Sequence, residues 1–129
     1  MVDLLVTGTG RCGTGYVSKL LTSAGIRCGH EEVFTPQGPQ ARPDLEADAS
    51  WLAAPFLDGF HGRVVHLTRH PMHVIRSFLG ISFFTLNLDW PHRRFAGRHF
   101  VRTGRPVHDA VRWYIEWNLR IEDHADVHI

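Results

Sequence analysis

Residues 4–15 constrain the fold more tightly than any other stretch of the chain. Leu4-Leu5-Val6-Thr7 is an unbroken apolar run of the kind found in strands buried on both faces, and it ends in Gly8-Thr9-Gly10-Arg11-Cys12-Gly13-Thr14-Gly15. From Tyr16 to Ala24, apolar residues at Val17, Leu20, Leu21 and Ala24 recur with helical spacing, and Gly25 stops that helix. A strand that runs through a glycine loop into a helix gathers backbone N–H groups at the positive end of a helix dipole, so this loop is expected to hold an anion. A tight turn needing glycine only for positive φ accounts less well for four glycines with an arginine among them.

The same order recurs later. Arg63-Val64-Val65-His66-Leu67-Thr68 reads as a second buried strand, and Pro71 opens a helix with Val74, Ile75, Phe78 and Leu79 on its apolar side. Ile26 to His30 is a poor strand, Phe34 to Asp48 an irregular proline-bearing loop, and Ala49 to Leu57 a short helix. Asn87 to Arg105 has weak periodicity, whereas Pro106 to about Asp123 is helical, with an apolar stripe at Val107, Val111, Tyr114, Ile115 and Leu119. Alternating strand and helix implies an α/β layer with a parallel sheet. Two secure strands cannot cover the apolar surface that Trp113, Trp117 and Ile121 add. Residues 1–129 therefore read as a single domain truncated at its C-terminus, and a homo-oligomer or a completing partner chain is expected.

With 14 basic against 13 acidic residues the net charge is +1, which gives no basis for a nucleic-acid partner. The run Met1-Val2-Asp3-Leu4-Leu5-Val6-Thr7 is too short for a membrane span, and Cys12 and Cys28 form no disulfide framework, so a cytoplasmic location is expected. His66, His70 and His73 straddle a strand-to-helix junction without metal-ligand spacing, and no metal is expected. The arginine- and histidine-rich stretch around Trp90 to Arg102 reads as surface or the wall of an acceptor site.

Three nucleotide readings compete for the glycine loop. A Walker A loop would need lysine and a hydroxyl residue where Thr14-Gly15 stands. Gly8-x-Gly10-x-x-Gly13 fits a dinucleotide fingerprint, with Glu31 or Glu32 at about the ribose-contact distance of roughly 20 residues, which keeps a dinucleotide-dependent oxidoreductase fragment as an alternative. The third reading adds Arg69 and, eight residues on, Ser77, which could grip one phosphate at the second strand-to-helix junction.

These residues resemble the sulfotransferases that use 3′-phosphoadenosine 5′-phosphosulfate (PAPS). Gly10-Arg11-Cys12-Gly13-Thr14 is similar to their 5′-phosphosulfate loop, and Arg69-His70-Pro71 through Ser77 to their 3′-phosphate motif. Glu32, in Gly29-His30-Glu31-Glu32-Val33-Phe34, stands 21 residues after Arg11, similar to the general-base glutamate of tyrosylprotein and bacterial trehalose sulfotransferases. The resemblance runs from Val2 to about Asp123 and implies a three-layer, P-loop-NTPase-like parallel sheet flanked by helices. It further implies PAPS as co-substrate and a hydroxyl-bearing acceptor such as a carbohydrate, lipid or small molecule. Gly10, Arg11, Cys12, Gly13, Thr14 and Gly15 would meet the 5′-phosphosulfate, and Arg69 and Ser77 the 3′-phosphate. Glu32 would take the acceptor proton, with Glu31 as second choice and His30 behind it. A truncated, inactive nucleotide-binding module is the other alternative.

Overall fold

The computed structural model describes residues 2–85 and 89–129; Met1 and Asn87, which begin two of the stretches read above, lie outside them. The strands are β1 (Leu4–Thr7), β2 (Cys28–His30), β3 (Phe34–Thr35), β4 (Gly38–Pro39), β5 (Ala47–Ala49), β6 (Arg63–His66) and β7 (Val127–His128). The helices are α1 (Thr14–Ser23), α2 (Pro71–Gly80), α3 (Pro91–His99) and α4 (Pro106–Glu122), with a 3-10 helix at Trp51–Gly59. Five strands form one parallel sheet in the order β2-β5-β1-β6-β7, and β3 and β4 pair as a small antiparallel hairpin. The protein is thus α/β, a parallel sheet flanked by helices.

Three strands of the parallel sheet escape the sequence pattern, and the stretch from Phe34 to Asp48, read as an irregular loop, holds the β3–β4 hairpin and the start of β5. β2 and β5 are three residues each, and Ala47-Asp48-Ala49 has neither the β-branched residues nor the apolar run of a central strand. All three β5 residues are nonetheless buried, because small side chains let α1 and the neighbouring strands approach. β5 takes Ala49 from the expected helix, and the remainder is a 3-10 helix begun by Ser50, whose Oγ accepts from Leu52 N–H. β7 pairs with β6 through Val65↔Val127 and His66↔His128. The stretch after Trp90, expected to be irregular, contains α3, opened by Pro91 at its first turn.

Two helices depart from the expected apolar faces. In α1, Val17 and Leu21 pack against the core as expected, but Leu20 is exposed and the most buried positions are Thr14 and Ser18, since Ser18 Oγ must reach the Cys28 carbonyl oxygen at 3.1 Å and only a small residue fits between helix and sheet. In α4, the stripe Val107, Val111, Ile115 and Leu119 faces outward, whereas Ala110, Trp113, Trp117 and Ile121 are fully buried. Both sides of α4 are apolar, and the tryptophans, with more area to bury, decide its orientation. Trp113 and Trp117 stack at 4.1 Å with an interplanar angle of 13°.

The connections leave the centre of the sheet in opposite directions: β1 continues through α1 to β2 on one side, and β6 through α2, α3 and α4 to β7 on the other. Such a reversal opens a crevice beyond the carboxyl ends of β1 and β6. Replacing Trp117 by Ala should lower stability by about 3–5 kcal/mol, whereas Ile115→Gln on the exposed stripe should change it by less than about 0.5 kcal/mol; urea unfolding of both variants measures the contrast.

Candidate functional site

The crevice is occupied by the glycine loop. Gly8 lets β1 end hard against the chain leaving β6, because a Cβ there would collide with the Leu67 carbonyl oxygen. Gly10 has φ +80°, and a Cβ would also lie 3.2 Å from the Trp51 ring. Arg11 holds φ +55°, uncommon for a residue with a side chain. Gly13, at φ +111°, caps α1 with no side-chain hydrogen bond, and no acidic residue stands in the first turn. Among the described residues the first N–H groups of α1 have no side-chain acceptor, and the positive end of its dipole opens toward the cavity.

Gly10, Arg11, Gly13, Thr14, Gly15, Arg69 and Ser77 all line one cavity of about 510 Å³, a volume in the range that takes small-molecule ligands, roughly 300–1,000 Å³. Arg11 Nε donates to Ser77 Oγ at 2.7 Å, 66 residues away, and Arg69 Nη1 donates to the Arg11 carbonyl oxygen at 3.2 Å. Two guanidinium groups, a hydroxyl and the free amides of a helix end thus converge. Among residues 10–15, the expected 5′-phosphosulfate contacts, Cys12 is the exception: it is buried behind the loop beside Gly8, outside the cavity lining, and burial pushes its thiol up.

The adjacent glutamates part company. Glu31, with φ +56°, lines the cavity with His30. Glu32 is not part of that lining; its Oε1 accepts from Arg42 Nη1 at 3.0 Å, and its other oxygen lies over Gly29. The turn that separates them is held by Asp48, whose buried carboxylate accepts the N–H groups of Glu32, Val33 and Phe34 at 3.0–3.1 Å. Asp48 is raised, chiefly by desolvation, and the three backbone bonds work against that rise.

His92, from the first turn of α3, places Nε2 3.3 Å from both Glu31 oxygens. Facing an ionised carboxylate, that nitrogen carries the proton and donates. Burial alone would raise Glu31, but the His92 hydrogen bond, the charges of His92 and His30 and a hydrogen bond from Trp51 together hold it below the usual glutamate range. His30 Nε2 lies 3.3 Å from Thr14 Oγ1, so the helix end and the acid–imidazole group share one wall. Trp51, Phe78, Ile81, Phe83 and Trp90 complete the cavity with apolar surface.

No family model matches the chain, and no curated protein or solved structure matches it significantly. The strand order bears on the dinucleotide alternative. In that fold the second strand lies beside the first, whereas here β5 separates β2 from β1.

Trp51, Ile81 and Phe83 are absent from the residues singled out in the sequence, whereas Trp90 and His92 fall in the stretch read as surface or the wall of an acceptor site, with no individual role assigned to either. His92 stands 61 positions from Glu31, and no spacing rule spans that interval; its place two residues after Trp90, beside Pro91, was the available signal. In a carboxyl NMR titration, Glu31 should titrate below the ordinary glutamate value of about 4.3. His92→Gln should move its midpoint upward, because desolvation stays while the main lowering contact is lost. As Glu31 is depressed in the folded state, its stabilising contribution is present above the unfolded glutamate range and disappears as pH falls through its own lowered midpoint.

Proposed function

We propose that the protein is a PAPS-dependent sulfotransferase with a P-loop-like sheet, transferring the sulfuryl group to a hydroxyl of an acceptor. The observation that carries this reading is the convergence of Arg11, Arg69 and Ser77 with the uncapped start of α1 in one cavity that also holds the Glu31 carboxylate. The donor fits the residues present: Gly10 and Gly13 leave the backbone approachable, the free amides suit phosphate oxygens, and two arginines supply the opposing charge. PAPS supplies an activated sulfur–oxygen bond whose cleavage leaves adenosine 3′,5′-bisphosphate.

The chain's own work is then positioning and charge. Arg11 and the amides of Gly13, Thr14 and Gly15 hold the 5′-phosphosulfate and stabilise the negative charge that grows on the departing phosphate. Arg69 and Ser77 hold the 3′-phosphate. Glu31 accepts the proton of the acceptor hydroxyl as its oxygen bonds to sulfur, and Trp51, Phe78 and Phe83 offer apolar surface to the body of the acceptor. Glu31, not Glu32, is assigned the base because only its carboxylate borders the cavity, and its lowered pKa keeps it ionised and ready to accept. His92 orients it.

Calorimetric titration should show adenosine 3′,5′-bisphosphate binding more tightly than 5′-ADP or NAD, with Arg69→Gln reducing that preference about tenfold or more. Equal or absent binding would refute the assignment. In an acceptor screen, Glu31→Gln should lower turnover by about 10²–10⁴ while sparing bisphosphate binding, and Glu32→Gln should leave turnover within a few-fold. Preferential binding without any turnover would favour the inactive nucleotide-binding module.

A further inference from the structure

Helix α3 carries Arg93, Arg94, Arg98 and His99 within nine residues that contain no acid, in a chain whose net charge is only +1. The fold sorts these side chains by face. Arg93 turns inward, where its guanidinium lies 4.8 Å from the Trp90 ring and donates to the Ile81 carbonyl oxygen at 3.2 Å. Arg94 and Arg98, at i and i+4, share another face, and together with His99 they line a second cavity of about 480 Å³ between α3 and the β3–β4 hairpin. Phe56, Phe95 and Pro91 give that cavity flat apolar walls beside the cations.

The positive charge there is poorly balanced. Arg94 meets Asp89 only at 3.8 Å, with both side chains largely in solvent. Arg98 spends one N–H on the Pro36 carbonyl oxygen at 3.1 Å, and among the described residues it has no carboxylate partner. Burial lowers the His99 pKa, and the charges of Arg120 and Arg98 lower it further, as in a positive field without a counter-ion. Like charges at i and i+4 oppose helix formation, so the arrangement is stabilised when an external anion is present.

The first turn of α3 also joins this cavity to the candidate active site: Trp90 and His92 line the first, Pro91 and Arg94 the second. One helical turn rises about 5.4 Å, which sets the Arg94–Arg98 pair about 5–10 Å along the helix from that junction.

We propose that the second cavity binds an oxyanion carried by the acceptor, on a ring-bearing molecule whose reacting hydroxyl lies on the far side of the α3 first turn. The part played by the acceptor rests on the sulfotransferase reading; binding of the oxyanion does not.

The test is an amide and histidine NMR titration of the full chain at low ionic strength with D-glucuronate, inorganic sulfate and glucose as probes. Either anion should shift the amides of residues 94–99 and raise the titration midpoint of His99, and glucose should do neither. Glucuronate acting alone identifies the group as a carboxylate, sulfate acting alone as a sulfate-type ester, and both results uphold the site. Arg94→Gln with Arg98→Gln should weaken binding about tenfold or more. Arg94→Gln alone, which removes no backbone contact, should act in the same direction, and Arg69→Gln should change it less than twofold. No response at residues 94–99, an equal response to glucose, or undiminished binding in the double variant would overturn the proposal. Adenosine 3′,5′-bisphosphate added to the same samples is read at the amides of residues 10–15. Failure there refutes the sulfotransferase reading while the response at residues 94–99 still decides the second cavity.

Discussion

The indole of Trp113 donates from its buried Nε1 to the Thr9 carbonyl oxygen at 2.8 Å, across 104 residues of sequence. This bond ties α4 to the start of the glycine loop. A turn later, Trp117 Nε1 donates to the Trp51 carbonyl oxygen at 2.9 Å and fixes the start of the 3-10 helix. With Trp51 packed edge-on to Trp113 and also against Trp117, the loop rests on a rigid aromatic base. That support matters because Arg11, with its positive φ, occupies a conformation that persists only where surroundings hold it. In exchange, the Arg11 side chain is delivered to Ser77 on α2.

A second constraint shapes the other half of the cavity. Asp48 is a carboxylate in a central parallel strand, an unfavourable place for one. It is tolerated because three consecutive backbone N–H groups, at residues 32–34, converge on it. Those bonds turn the chain sharply after β2, so that two neighbouring glutamates point to different places: Glu31 to the cavity and His92, Glu32 to the surface and Arg42. The carboxylate of Glu31 thus owes the largest part of the lowering of its pKa to His92 of α3 and its direction to the turn that β5 holds.

Charge is distributed with similar economy. The cations near the glycine loop, Arg11 and Arg69, come from the two strand-to-helix junctions, while the arginines of α3 are divided between an inward cation–π contact and an outward groove. A near-neutral chain can in this way maintain two positive regions without an overall field.

The α/β class, both strand-to-helix junctions and the loop residues that meet Arg69 and Ser77 could be read from the sequence alone. The physical reason is that they rest on local rules: an apolar run, glycines where φ is positive, proline at a helix start. The strands β2 and β5, the buried side of α4 and the choice between Glu31 and Glu32 depended on the tertiary structure. Ala47-Asp48-Ala49 is a strand only because its neighbours on both sides are strands, and α4 offers two apolar faces whose ranking needs the tryptophan partners Thr9 and Trp51. The spacing from Arg11 that pointed to Glu32 cannot tell which of two adjacent glutamates faces the cavity; a carboxylate 16 residues away in sequence sets the backbone turn that separates them, and a histidine 61 residues away holds Glu31 there.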